Sequence, residues 1–173
     1  MMTLEEKIEY ILKDGLGEFV KFTNTEDFPQ LSKKTRTFLK EIGVYSYRKG
    51  YPYLLTDGKL IQFDENLIQF GKSRIMENPF CIDIGNKERI VGYNLKKKSI
   101  HIINSSLEKY IECLYTLRYY TNEIEGTEKL GPYYKNHKKY AKELKKMFEN
   151  IEPKSMEYPI WGGRIYEMDL GVL

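Results

Sequence analysis

The stretch Phe80-Cys81-Ile82-Asp83-Ile84-Gly85-Asn86-Lys87-Glu88-Arg89-Ile90-Val91-Gly92-Tyr93 decides the fold. Two short apolar runs of strand character flank the polar loop Gly85-Asn86-Lys87-Glu88, which is the pattern of an antiparallel hairpin. Just beyond it, Lys96-Lys97-Lys98 turns the chain into a further run, Ile100-His101-Ile102-Ile103. Upstream, Asp57-Gly58 sits between Leu54-Leu55-Thr56 and Leu60-Ile61-Gln62-Phe63 and reads as a tight hairpin, because a type I′ turn requires positive φ at both central residues. Leu67-Ile68-Gln69-Phe70 adds another strand. From about Tyr51 to Ile103 the expectation is therefore an antiparallel meander.

Helical periodicity brackets this region. Leu4, Ile8, Ile11 and Leu12 recur at helical spacing behind Thr3, whose hydroxyl pairs with Glu6 as a capping box. Gly15 and Gly17 end that helix, and a short strand over Phe19-Val20-Lys21-Phe22 follows. A second helix from Ser32 to Ile42 carries Leu31, Phe38, Leu39 and Ile42 on one face and Lys33, Lys34, Arg36 and Lys40 on the other. It stops at Gly43, a natural C-cap. A third helix opens at Ser105, with Glu108 as its box partner and Leu107, Tyr110, Ile111, Leu114 and Leu117 as its apolar stripe, and is expected to cover one face of the sheet. After a polar break at Thr121 to Gly131, a basic helix from about Tyr133 to Asn150 buries Tyr140, Leu144, Met147, Phe148 and Ile151. A short helix or turn around Trp161, Ile165 and Met168 closes the chain, with Gly162-Gly163 expected to mark a bend beside the indole. Helices, then antiparallel strands, then helices define an α+β fold with a central antiparallel sheet, and not the alternation of a nucleotide-binding doubly wound fold. The 173 residues fit a single domain, with the C-terminal helical segment from about 130 to 173 packed on it.

Composition narrows the function classes. With 41% hydrophobic and 31% charged residues, the chain is too apolar for disorder and has no run long enough to span a membrane. Its start, Met1-Met2-Thr3-Leu4-Glu5-Glu6-Lys7, has no signal-peptide pattern, so a cytoplasmic location is expected. Two cysteines, Cys81 and Cys113, fall in apolar contexts and read as buried thiols, not as a disulfide framework or zinc site.

The residues that catalysis needs are scarce. His101 lies in a strand and His137 on a basic helix, with no ligand at metal spacing to either. Asp64, Glu65 and Asp83 fall in different hairpins and read as turn or strand carboxylates before they read as an acid/base pair. Gly15-Leu16-Gly17 lacks the third glycine of a dinucleotide fingerprint, and Asn104-Ser105-Ser106 is better explained by helix capping than by glycosylation. No catalytic residue, metal or cofactor is expected. The net charge is +3, and its basic residues are dispersed. A nucleic-acid-binding module would use the helix bearing Lys135, Lys138, Lys139, Lys142, Lys145 and Lys146, but Glu143 and Glu149 interrupt that face.

Fifteen tyrosines stand against one tryptophan, and tyrosine suits half-buried strands and protein interfaces alike. The densest cluster, Tyr45, Tyr47, Arg48, Tyr51 and Tyr53, is the candidate partner-binding surface, since Tyr and Arg dominate interface hot spots. The alternative is that alternate tyrosines enter the core where the sheet begins.

Three segments together carry a family resemblance: Leu31-Ser32-Lys33-Lys34-Thr35-Arg36-Thr37-Phe38-Leu39-Lys40-Glu41-Ile42-Gly43, then Cys81-Ile82-Asp83-Ile84-Gly85 through Ile90-Val91-Gly92-Tyr93, then Ile102-Ile103-Asn104-Ser105-Ser106-Leu107-Glu108-Lys109-Tyr110-Ile111. In order and spacing they resemble the SUKH (Smi/Knr-like) superfamily, in particular its fourth group of immunity proteins. Glu152-Pro153-Lys154 followed by Trp161 is similar to that group's C-terminal segment, whereas Tyr45 stands where relatives often place proline. The resemblance implies an α+β scaffold with no catalytic residues. It also implies a role in binding and neutralising a bacterial protein toxin, a nuclease or another toxin domain, with no membrane partner. An endogenous regulatory or scaffold protein of the same fold is the alternative.

Overall fold

The computed structural model describes residues 2–13, 15–47, 54–73, 76–127 and 134–172. They form an α+β structure whose chain divides into two compact units, one of residues 12–107 and one of residues 1–11 with 108–173. The second of these units takes the chain from Glu108 onward together with most of the N-terminal helix.

The first unit holds the strands. β1 (Gly17–Val20) and β2 (Val44–Tyr47) form a two-stranded antiparallel sheet on either side of α2 (Lys33–Glu41). The larger sheet has the order β3-β5-β6-β7-β8, where β3 is Leu54–Leu55, β5 Leu67–Ser73, β6 Pro79–Asp83, β7 Arg89–Asn94 and β8 Ser99–Asn104. β4 (Ile61–Gln62) pairs with β5 as well. From β5 onward this is the expected meander: Ile82 faces Ile90 across the β6–β7 hairpin, and Tyr93 faces Ile100 across the next. All five residues of β6 are buried, four of them apolar and the last the carboxylate Asp83, while β8 alternates little and leaves Ile100 exposed. Leu67, Cys81 and Val91 form a buried cluster across β5, β6 and β7, with Phe63 and Tyr93 packed against it.

The Asp57-Gly58 signal marks a turn without making a hairpin. β3 and β4 do not pair with each other; both lie along β5, at Lys72–Ser73 and at Ile68–Gln69. The loop is held by local side-chain bonds, from Gly58 N–H to the Thr56 hydroxyl and from Lys59 N–H to the Asp57 carboxylate. Gly58 has φ +76°, and a Cβ there would collide with the Lys21 carbonyl oxygen, so glycine is required on two counts.

Capping in this unit follows the sequence. Ser32 caps α2, accepting from Thr35 N–H at 3.2 Å, and Gly43 ends it with φ +85° and a bond from its N–H to the Phe38 carbonyl. The Glu88 carboxylate, on the β6–β7 loop, accepts from Ser32 N–H and from the hydroxyls of Ser32 and Thr35. Lys87 and Glu88 both have positive φ, so a strained turn places this anion at the positive end of the helix.

The second unit comprises α1 (Leu4–Leu12), α3 (Leu107–Glu125), α4 (His137–Ile151) and α5 (Pro159–Asp169). The Thr3–Glu6 capping box forms in both directions, at 2.7 and 3.2 Å. α3 buries the expected stripe but runs on through Thr121 to Glu125, so the break begins later than its polar residues imply. In α4, Leu144 and Phe148 are buried as expected, whereas Met147 is 36% exposed. Trp161 is fully buried, with Phe148 at 5.2 Å and Tyr110 at 6.1 Å between ring centres. Gly162 and Gly163 do not bend the chain; they lie inside α5. At Gly162 a Cβ would sit 2.8 Å from the Met156 carbonyl oxygen, so the missing side chain lets the 3-10 turn Ser155–Glu157 approach the helix.

Candidate partner-binding surface

The predicted aromatic cluster is not an available surface at the two positions described. Tyr45 and Tyr47 are fully buried. Residues two apart on a strand share a face, and here the two rings meet edge to face at 4.5 Å, with Phe19 of the paired strand 5.3 Å from Tyr45. Every residue of β2 is buried, so the tyrosines serve the core as the alternative reading holds. Arg48, Tyr51 and Tyr53 lie outside the described residues.

A different group of tyrosines reaches the surface, in the helical unit. Tyr10 of α1 meets Tyr115 of α3 edge to face at 5.4 Å and lies tilted to Tyr119 at 5.6 Å, and Tyr115 and Tyr119 stack at 5.7 Å, one helical turn apart. Tyr119 is 38% exposed, and the other two are half-buried. Polar groups frame the rings: Lys7 lies 5.8 Å from the Tyr115 ring centre and pairs with Glu112, and Asn122 donates to the Tyr10 hydroxyl. Burial, and then the neighbouring Tyr119, Tyr10 and Glu123, push the Tyr115 phenol above its ordinary pKa, and its hydroxyl donates to the Met2 sulfur at 2.9 Å. The arrangement offers amphipathic rings, already ordered by one another, with donors and acceptors at their rim. That is the make-up of an interface hot spot, where rigid aromatic anchors lose little entropy on contact. Sequence reasoning missed it because Tyr10 and Tyr115 are brought together by the fold, although the four-residue spacing of Tyr115 and Tyr119 was a signal within reach.

The other candidate groups have structural work that the geometry accounts for. Asp83 is buried and accepts from both Arg89 Nε and Nη2 at 2.9 Å and from Asn86, which ties the β6–β7 turn together. Asp64 accepts from Asn66 and Leu67 N–H and shapes the turn into β5. The Cys81 thiol is pushed up to about 12 by burial and then by the charges of Asp64 and Asp83, which leaves it without nucleophilic character. The His101 ring lies over Gly92, where any Cβ would clash with it, and burial lowers its pKa. Among the described residues no three His, Cys, Asp or Glu side chains are grouped so as to hold a metal ion. On α4, Lys139 and Lys145 pair with Glu143 and Glu149 one turn on, which dilutes the basic face that a nucleic acid would need. A depression of about 530 Å³ opens where β3 and β4 part along β5, lined by Leu55, Thr56, Lys59, Ile61, Phe70 and Lys72, with Lys72 engaged by Glu77 at 2.6 Å.

Among the described residues no helix is long and apolar enough to cross a membrane. Comparison with protein-family models, with curated proteins and with solved structures finds no match for this chain.

Proposed function

We propose that this chain is a non-catalytic protein-binding module, and that it acts as an immunity protein, neutralising a bacterial toxin by direct contact. The observation that carries the binding reading is the Tyr10–Tyr115–Tyr119 cluster, a set of mutually packed, partly exposed rings with a polar rim. The resemblance of residues 31–43, 81–93 and 102–111 to SUKH immunity proteins supplies the kind of partner, a toxin domain, and agrees with an α+β scaffold. The test is co-expression with the toxin-like gene encoded immediately beside it, scoring survival and co-purification together. Rescue with a stable complex is the expected result. Survival without a complex, or no rescue at all, would overturn neutralisation by contact and leave the regulatory-scaffold reading in its place.

A further inference from the structure

The cationic face of α2 was noted in the sequence, and the tyrosine surface does not use it. Lys33, Arg36, Thr37 and Lys40 lie at helical spacing on that face, and with Glu26 and Glu41 they line a cleft of about 250 Å³. Glu26 comes from the 3-10 turn Thr25–Asp27, places one carboxylate oxygen 3.2 Å from Arg36 Nη1, and reaches Lys40 at 4.0 Å with the other. Its side chain is 71% exposed, so solvent competes for it and it can leave at small cost. Arg36 Nε, by contrast, is closed off from solvent and has no acceptor among the described residues. A guanidinium presents a planar fork that a carboxylate can satisfy with two parallel bonds, and Glu26 is recorded at Nη1 with one oxygen.

We propose that this α2 cleft is a docking site for a carboxylate on an acidic segment of a protein partner, with Glu26 as the tethered occupant that the incoming group displaces. The site's own chemistry selects the ligand. Glu26 shows that a carboxylate fits between Arg36 and Lys40. The proposal rests on the protein-binding reading for the kind of partner, and it adds the chemistry of the segment recognised.

The test is a titration of the intact protein with an eight-residue peptide of alternating aspartate and serine, followed at the Arg36 side-chain Nε–H resonance. The expected result is a shift at Arg36 that weakens with salt and is tightened about two- to five-fold in Glu26→Gln, the scale of one exposed ion pair removed from competition, while in Arg36→Gln the backbone amides of α2, which respond to the peptide in the wild type, no longer move. Unchanged or weaker binding in Glu26→Gln would overturn the displacement. Tighter binding of a single-stranded oligonucleotide of equal charge at the same resonance would overturn the choice of ligand. Because the peptide is independent of the toxin, a failed rescue alongside intact peptide binding counts against the immunity reading alone, and a stable toxin complex without peptide binding counts against this site alone.

Discussion

At the scale of single residues, the glycines separate positions where backbone dictates sequence from positions where it does not. Gly43 has φ +85°, and a Cβ there would fall 2.2 Å from the Val20 carbonyl oxygen. Gly43→Ala is expected to lower stability by about 2 kcal/mol or more, since both the backbone conformation and the approach of β1 are incompatible with a side chain. Gly163, inside α5, has open space where its Cβ would be. Gly163→Ala is expected to raise stability by up to about 1 kcal/mol, the helix-propensity difference. Urea unfolding of the two variants checks the pair, and a destabilised Gly163→Ala would show that α5 has a constraint not seen in its geometry. The sequence was legible at Gly43, where a helix pattern stops, and misleading at Gly162-Gly163, because a bend and a close approach of another segment call for the same residue.

At the scale of elements, side chains borrowed from one element hold another. Glu88 fixes the start of α2 through Ser32 and Thr35. Glu88→Ala is expected to cost about 1–3 kcal/mol, the range for bonds to a charged acceptor with donors left behind. Thr35→Ala in the same background should add less than it costs alone, which a double-mutant cycle by chemical denaturation measures. The β7–β8 hairpin carries a pH dependence through His101. Burial lowers its folded pKa below the ordinary value of 6.5, so the unfolded chain binds the proton first as pH falls. Stability is therefore full above about pH 6.5 and declines as pH drops from there toward the folded pKa. His101→Asn should remove that slope, and a slope that persists unchanged in the variant would assign it elsewhere. Strand and helix identities in these regions follow from periodicity in the sequence. The failure of Asp57-Gly58 to make a hairpin does not, because the choice between pairing β3 with β4 and pairing both with β5 depends on contacts distant in the chain.

At the scale of the whole molecule, the α+β class was readable because the order of helical and strand patterns survives any error in their boundaries. The candidate surface was not. Tyr45 and Tyr47 were singled out by density along the chain, but density along a strand says nothing about which sheet face is covered, and both rings are buried. Tyr10, Tyr115 and Tyr119 meet only once α1 lies against α3. If this cluster is the anchor for a toxin, the binding energy concentrates in it and not in the rim around it. The most direct measurement is the affinity of the purified complex with the co-expressed toxin for the wild type and for Tyr119→Ala, whose ring is the most exposed of the three, with thermal unfolding recorded on the free proteins. A loss of affinity of about thirty-fold or more, near 2 kcal/mol, is expected, with little change in the unfolding midpoint. Affinity equal to that of the wild type in a folded variant would contradict it.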